Sequence, residues 1–461
     1  MDPDVTGSTR PPNIVLINCD DLGYGDLGCY GSELNHTPHL DRLAAEGRRF
    51  TDFMMASPVC SPSRAAMLTG CYPPRIGFGE FDDRRWVLWP GMAQGLSAAE
   101  ETIASLLKRA GYATKLVGKW HCGDQPEFLP TRHGFDSYYG LPYSNDMGRQ
   151  SGREPMPPLP LMRDEVVIQA QPDQAALTER YVEESLRFIR EHRGGPFFLY
   201  LAHMYVHRPL YVPHRFATAS QNGRYGAAVA CIDWSLGALM AELDRLDLDR
   251  DTLVLFTSDN GSRVAGEGGS NRPLRGAKGD TWEGGMRVPL IARWPGRVPA
   301  GTTSARLITA LDLLPTLAGL AGVQPTGATI DGLNLSSALL DDEPPASERV
   351  EFFYYLHDQL EAVRVERWKL HVRKDEAELQ ALFDLETDVG ETTDVSAWHP
   401  DIVADLRARL DGMAAELGDS ARGIEGGARR PCGRVDDPRP LTTFDPREAY
   451  FYAEYDLDEA G

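Results

Sequence analysis

The chain has 461 residues, 42% of them hydrophobic and 25% charged, and a formal net charge of -21 at pH 7. That length allows two or three domains, or one large α/β domain with a smaller companion. The acidic balance argues against general binding to nucleic acid or anionic membrane, which both need a basic footprint, but leaves room for a local anion site.

Residues 1–10 have neither a basic n-region nor an apolar h-region, so no signal peptide is expected, and no uninterrupted apolar run has the length of a bilayer span. The expectation is a cytoplasmic protein, or a periplasmic or secreted one whose N-terminus has been trimmed. The seven cysteines (19, 29, 60, 71, 122, 231 and 432) are odd in number and scattered, without the paired spacings of a zinc site or disulfide framework, which suits reduced thiols.

In chain order, residues 13–17 form a continuous apolar, β-branched run, the pattern of a buried strand in a parallel sheet. It stops at Asp20 and Asp21, where adjacent carboxylates are solvated, paired or bound to a cation; in isolation a solvated turn before Gly23 is the simpler reading. Thr37-Pro38 opens a helix closed by Gly47. Residues 58–70 follow, reading PVCSPSRAAMLTG. Here Ser61 is expected to cap a helix with Pro62 in its first turn, which sets Cys60 and Arg64 at the positive helix end, a place that favours anions.

Ser97 and Glu100 suggest a capping box before a helix ending at Gly111, and the next short strand delivers Lys119 and His121. Residues 122–173 are rich in Pro and Gly and are expected to be long loops that shape a site. A helix over 174–192, a strand over 197–201 ending at His203 and His207, a helix over 225–246 and a strand over 252–257 ending at Asp259 and Asn260 come next. One more strand (288–294) and helix (307–322) complete the alternation, which predicts a mainly parallel sheet sandwiched by helices. Past residue 341 the pattern changes to short strands at 351–356, 362–372 and 382–385 and a helix near 402–417, so the domains are expected at 1–341 and 342–461. The second is a smaller α+β domain with an antiparallel sheet, and its tail from Ser420 is irregular with a solvated acidic end.

Strand ends thus supply Asp20, Asp21, Asp259 and Asn260, three carboxylates and an amide that suit a hard divalent cation, Ca2+ more than Mg2+ if the site is irregular. The string from Cys60 to Gly70 resembles the signature of the type I sulfatases, within the alkaline phosphatase superfamily. So do residues 118–121 (GKWH), 141–144 (LPYS), 207–209 (HRP), 257–261 (TSDNG) and 276–285 (GAKGDTWEGG), closest to the branch with arylsulfatase A and N-acetylgalactosamine-6-sulfatase.

The resemblance implies the sulfatase fold, a Cys60 converted to formylglycine by a maturation enzyme, and Ca2+ bound by Asp20, Asp21, Asp259, Asn260 and modified Cys60. It implies a hydrated aldehyde that attacks sulfur, favoured by Arg64, with Lys119 and Lys278 holding sulfate oxygens. His207 would protonate the leaving group and His121 take the proton that restores the aldehyde, while Ser144 matches a sulfate-contacting position; Asn145 and Asp146 are further guesses at substrate contact. His203, Trp120 and Trp282 are read as structural. The implied substrate is an aryl or carbohydrate sulfate ester. Two alternatives stay open: a phosphate or phosphonate ester hydrolase on the same core, and a non-catalytic sulfate-ester binding protein with unmodified Cys60.

Overall fold

The first apolar run forms strand β1 (Asn13–Cys19), buried along its whole length. Its side chains alternate between two cores. Ile14 and Leu16 pack with Phe50, Leu68, Leu106 and Leu314 on one face, and Val15 and Ile17 with Leu43, Phe188, Ile232 and Leu236 on the other. A strand covered on both faces has no solvated side for polar residues, hence the unbroken aliphatic run. Each such side chain contributes about 1.5–3 kcal/mol on burial.

The computed structural model describes residues 11–150, 156–340, 348–375, 377–447, 453 and 455–457. The first ten residues, the domain junction expected at 341/342 and the acidic last four residues lie outside that set. Around β1 the large sheet contains β2 (Arg48–Phe50), β3 (Ala113–Gly118), β4 (Ser137–Gly140), β5 (Pro160–Arg163), β6 (Val166–Ala170), β7 (Phe197–Ala202), β8 (Thr252–Ser258), β9 (Leu290–Arg293) and β10 (Thr302–Ser304). Their order is β10-β2-β9-β8-β1-β7-β3-β4-β5-β6. The neighbours β8, β1, β7, β3 and β4 run parallel, and antiparallel pairings flank them at β9 and at β5 and β6. Helices α1 (Pro38–Glu46), α4 (Leu177–His192) and α5 (Gly223–Arg245) cover one face, and α2 (Cys60–Thr69), α3 (Ile103–Arg109) and α6 (Leu313–Leu320) the other.

Several sequence expectations are corrected. The stretch 122–173 is not only loop, since it supplies β4, β5 and β6 at the sheet edge. Helix α3 starts after Thr102, whose hydroxyl accepts from the Ser105 amide at 3.1 Å, while Ser97 and Glu100 form a turn before it. Helix α5 is long and apolar enough by length and composition to cross a membrane, although Asp233 interrupts its apolar run; its Val229, Ile232, Leu236, Leu239 and Leu243 are buried in the core of this fold. The tail is not simply solvated, for Gly433–Arg434 pairs with Gln94–Gly95 and Tyr455 is buried beside Tyr211.

The C-terminal sheet runs in sequence order through β11 (Glu351–Leu356), β12 (Gln359–Val365), β13 (Trp368–Lys374) and β14 (Ala377–Asp384), all antiparallel. The single strand expected over 362–372 is therefore split by a turn between β12 and β13. Helix α7 (Pro400–Leu417) packs Val403, Leu406 and Leu410 against Phe352, Leu370 and Leu382.

This sheet joins the N-terminal part of the chain through buried charge. Lys369 Nζ donates to Thr281 O at 2.9 Å and to Glu283 Oε1 at 3.0 Å, and lies 2.9 Å from Glu391 Oε1. Burial pushes Glu283 towards protonation, but Lys369, Arg287 and Arg364 outweigh it and hold its carboxyl well below the usual range. Lys369→Met would leave Glu283 and Glu391 short of one cation. Urea unfolding at neutral pH should show a loss of about 3–5 kcal/mol. Because the folded-state pKa of Glu283 is depressed, the stabilisation exists above the unfolded carboxylate pKa and is lost as pH falls through the folded value, so the variant's deficit should shrink in acid.

Candidate active site

The parallel register brings Cys19 opposite Ser258, so the residues that follow β1 and β8 meet at one rim. Asp259 N donates to Cys19 O at 3.0 Å, Asp20 N to Tyr205 O at 2.8 Å and Lys119 N to Ala202 O at 2.8 Å. Backbone bonds thus fix Asp20, Asp21, Lys119, His207, Asp259 and Asn260 beyond the carboxyl ends of β1, β3, β7 and β8, where α/β sheets gather their ligands. Asp21 and His121 have φ of 61° and 62°, left-handed conformations that non-glycine residues adopt where surrounding contacts dictate them.

Helix α2 closes the site from the other side. Cys60 is its first residue and Val59 its N-cap, without a side-chain capping bond, so the expected cap by Ser61 is corrected. Ser61 Oγ instead accepts from Leu88 N at 3.1 Å. All of Cys60 to Thr69 is buried. Cys60 Sγ lies 3.3 Å from Asp20 Oδ1, and burial followed by the Asp20 charge pushes its thiol well above the usual range.

Three cations interleave with three carboxylates. Arg64 Nε donates to Asp259 Oδ2 at 2.8 Å and its Nη1 to Lys119 O at 2.9 Å. Lys119 Nζ donates to Asp20 Oδ2 at 2.6 Å and to Ser144 Oγ at 3.1 Å, and Lys278 Nζ to Asp21 Oδ2 at 2.9 Å. Asn260 Nδ2 donates to Asp21 Oδ1 at 2.7 Å. Burial is the largest influence on the carboxyls of Asp20 and Asp259; Lys119, His207 and Arg64 overcome it at Asp20, which is held well below its ordinary range, whereas at Asp259 burial wins over Arg64 and lifts the value to about 7.

Two imidazoles face this cluster differently. His207 Nδ1 donates to Arg208 O at 2.6 Å, which leaves Nε2, 3.4 Å from Ser144 Oγ and 3.9 Å from Asp21 Oδ2, as the nitrogen that can gain or give a proton. Burial, then Lys278, lower its pKa. His121 Nε2 donates to Leu88 O at 2.9 Å, so Nδ1 is a bare acceptor, buried and without a hydrogen-bond partner among the described residues. Burial, then Lys119, keep that ring neutral. Asn145 does not point to substrate contact, since its amide donates to Gln174 Oε1 at 2.9 Å and Pro209 O at 3.2 Å and so braces the His207 segment. His203 is buried against Ser235 Oγ at 2.9 Å. Trp120 and Trp282 are buried among other rings and an arginine.

Sequence reasoning reaches loop 79–96 only as one on which substrate choice depends; the part of Leu88 in holding His121 escaped it because Leu88 acts through backbone atoms. The one usable signal was its place in 79–96, a stretch without helical or strand periodicity between the signature and α3.

The donor set fits a hard cation. Asp20, Asp21, Cys60 and Asp259 each offer an atom within 4.8 Å of the others, and Asn260 Oδ1 is a buried oxygen with no hydrogen-bond partner among the described residues. An orphaned amide oxygen beside three carboxylates is costly unless a cation takes it up.

Residues 12–323 match the Sulfatase family, and residues 278–416 match the family described as N-sulphoglucosamine sulphohydrolase, C-terminal. N-acetylgalactosamine-6-sulfatase of Canis lupus familiaris is 43% identical over 382 residues, 79% of this chain and 72% of that one. Arylsulfatase A of Homo sapiens is 41% identical over 386 residues, 78% and 75% of the two chains. Among solved structures, Ps i-CgsB in complex with k-i-k-neocarrahexaose superposes with a TM-score of 0.78 at 31% identity, covering 90% of this chain and 95% of that one. The PsFucS1 sulfatase from Pseudoalteromonas sp. gives 0.80 at 26% identity, covering 92% of each. The chain belongs to the sulfatase family. It is a sulfuric ester hydrolase with the sulfatase fold.

A cation held by this donor set stabilises the folded state by mass action, about 2.7 kcal/mol at one hundred times its dissociation constant. Differential scanning calorimetry should therefore show a higher unfolding temperature in Ca2+ than in EDTA, with most of the difference gone in Asn260→Ala.

Proposed function

We propose that this sulfatase hydrolyses a sulfate monoester of a carbohydrate or aryl alcohol, with Cys60 converted to formylglycine and Ca2+ held by Asp20, Asp21, Asp259, Asn260 and the modified residue 60. The observation that carries the reading is the buried placement of Cys60 beside Asp20, inside a group of carboxylates each bonded to Lys119, Lys278 or Arg64. The irregular, mostly oxygen set favours Ca2+ over Mg2+. Support for the substrate class comes from relatives named for N-acetylgalactosamine-6-sulfate and aryl sulfates and from the sugar-bound structure.

Charge accounts for the selectivity. Three carboxylates and the three cations Arg64, Lys119 and Lys278 cancel formally. A divalent ion would then make the site net positive, as binding of an anionic ester and its nucleophile requires. Formylglycine supplies a hydrated aldehyde whose hydroxyl attacks sulfur and whose collapse to the aldehyde releases sulfate. The cation, when bound, supplies charge that offsets the negative charge gathered at sulfur.

The remaining work falls to the chain. Lys119 and Lys278 hold sulfate oxygens, assisted by Ser144 through Lys119. Arg64 fixes Asp259 and adds positive field at the start of α2. His207 Nε2 delivers a proton to the departing ester oxygen, and the neutral His121 Nδ1 receives the proton lost as sulfate is expelled. A formylglycine-generating enzyme is the implied partner.

Mass spectrometry of the tryptic peptide Phe50 to Arg64, from a preparation assayed for arylsulfatase activity, should find aldehyde or its hydrate at position 60. Turnover by protein that holds only thiol would overturn the mechanism. Comparison of 4-nitrophenyl sulfate with its phosphate and phosphonate counterparts should favour the sulfate in kcat/KM. His207→Ala should lose about 100-fold or more on a sugar sulfate, where the leaving oxygen needs a proton, and far less on 4-nitrophenyl sulfate. Equal losses on both would remove the acid role.

A further inference from the structure

The segment 86–88 touches residues next to the site at both of its ends. Leu88 is held by Ser61 Oγ and by His121 Nε2. Two residues earlier the six-membered edge of Trp86 lies on Gly279, close enough that a Cβ there would stand 3.1 Å from the ring. Gly279 follows Lys278, and its amide donates to Pro58 O at 3.0 Å, two residues before Cys60. Glycine at 279, with φ of +86°, therefore leaves room for the indole directly beside the sulfate-holding lysine.

Trp86 is 46% exposed, between Trp89 at 37% and Trp398 at 71%, whereas Trp120, Trp282 and Trp294 are at most 7% exposed. It is not loosely placed. His357, from the turn between β11 and β12, meets it edge-on with centroids 4.8 Å apart at 87°. His357 Nδ1 lies 3.6 Å from Glu80 Oε2. Holding a half-bare indole rigidly at the mouth of a polar site has a hydration cost that a bound apolar face removes.

We propose that Trp86 is the platform on which the sugar ring of a carbohydrate sulfate stacks, with Glu80 and His357 at its edge as hydrogen-bonding partners for ring hydroxyls. This rests on the sulfatase reading and extends it from the anion to the alcohol it is attached to. A pyranose offers both an apolar C–H face and peripheral hydroxyls, which together match an aromatic ring bordered by a carboxylate and an imidazole. A simple aryl group would use the indole and make no hydrogen bond to that border. The subsite is built from both sheets' loops, which assigns the C-terminal domain a part in substrate choice.

The test compares wild type, Trp86→Phe and Trp86→Ala on galactose 6-sulfate and 4-nitrophenyl sulfate, with inorganic sulfate as a competitive inhibitor. Trp86→Ala should raise KM for the sugar sulfate at least tenfold and by more than for the aryl ester, shift the inhibition constant of inorganic sulfate less than twofold, and be largely restored by phenylalanine. A parallel weakening of inorganic sulfate would mean that the indole only braces Gly279 and Lys278, and would overturn the platform. So would unchanged sugar kinetics, or a larger loss on the aryl ester. Wild-type turnover of 4-nitrophenyl sulfate without turnover of the sugar sulfate would sink the platform alone, whereas no turnover of either ester would count against the sulfatase reading beneath it.

Discussion

Three carboxylates brought within a few ångströms of one another, out of contact with water, set the terms for the rest of this molecule. In a low-dielectric interior, like charges at that separation repel strongly, and no arrangement of apolar side chains can answer them. Arg64, Lys119 and Lys278 each come from a different segment, and each must reach the same rim. The helix that delivers Arg64, the strand that ends before Lys119 and the loop that carries Lys278 are all tied to the joined ends of β1 and β8. The anion pocket is then a by-product of that compensation, since cations assembled to neutralise carboxylates also present positive charge to any tetrahedral oxyanion nearby.

The loop bearing Lys278 is the least regular of these supports, and the C-terminal sheet makes up for it. Gly261 and Gly284 allow backbones to approach so closely that a Cβ at Gly261 would stand 1.8 Å from Gly284 O. From the other side Lys369, Glu391 and Tyr354 hold Thr281 and Glu283 through buried hydrogen bonds. A lysine on a loop thereby gains the precision of one on a strand. Sheet and loop behave as one rigid piece, although they belong to different sequence patterns.

The core strands were legible because burial on both faces leaves a mark: 13–17 and 252–257 are aliphatic runs, and each ends at a polar pair that has nowhere to go but the sheet's rim. The direction of Leu290–Arg293 was not legible, since an apolar run looks the same in an antiparallel strand. Residues 137–140 and 160–170 were missed because short edge strands are held mainly by backbone pairing, with Pro160 and scattered polar residues masking any alternation. The start of α2 was displaced by two residues for a related reason: Ser61 has the side chain of a cap but spends it on Leu88, a partner twenty-seven positions away. Side chains that serve tertiary contacts do not also serve local rules, and the site is where such conflicts gather. Asp20 and Asp259 stood out only as polar residues at strand ends, and the role of Lys119 was implied by the resemblance; their pairing in space was not legible, because it depends on strand order.

The burial of Cys60 also has a temporal side. Only 2% of that residue is exposed, and the next nine residues are buried with it, so another protein's active site cannot close around its sulfur in the finished fold. The last described residues, around Tyr455, dock beside Tyr211 on the segment that follows His207. Any enzyme that alters residue 60 has to work on an open chain, and the interval available to it is set by how soon the large sheet forms around α2, a race between folding rate and encounter.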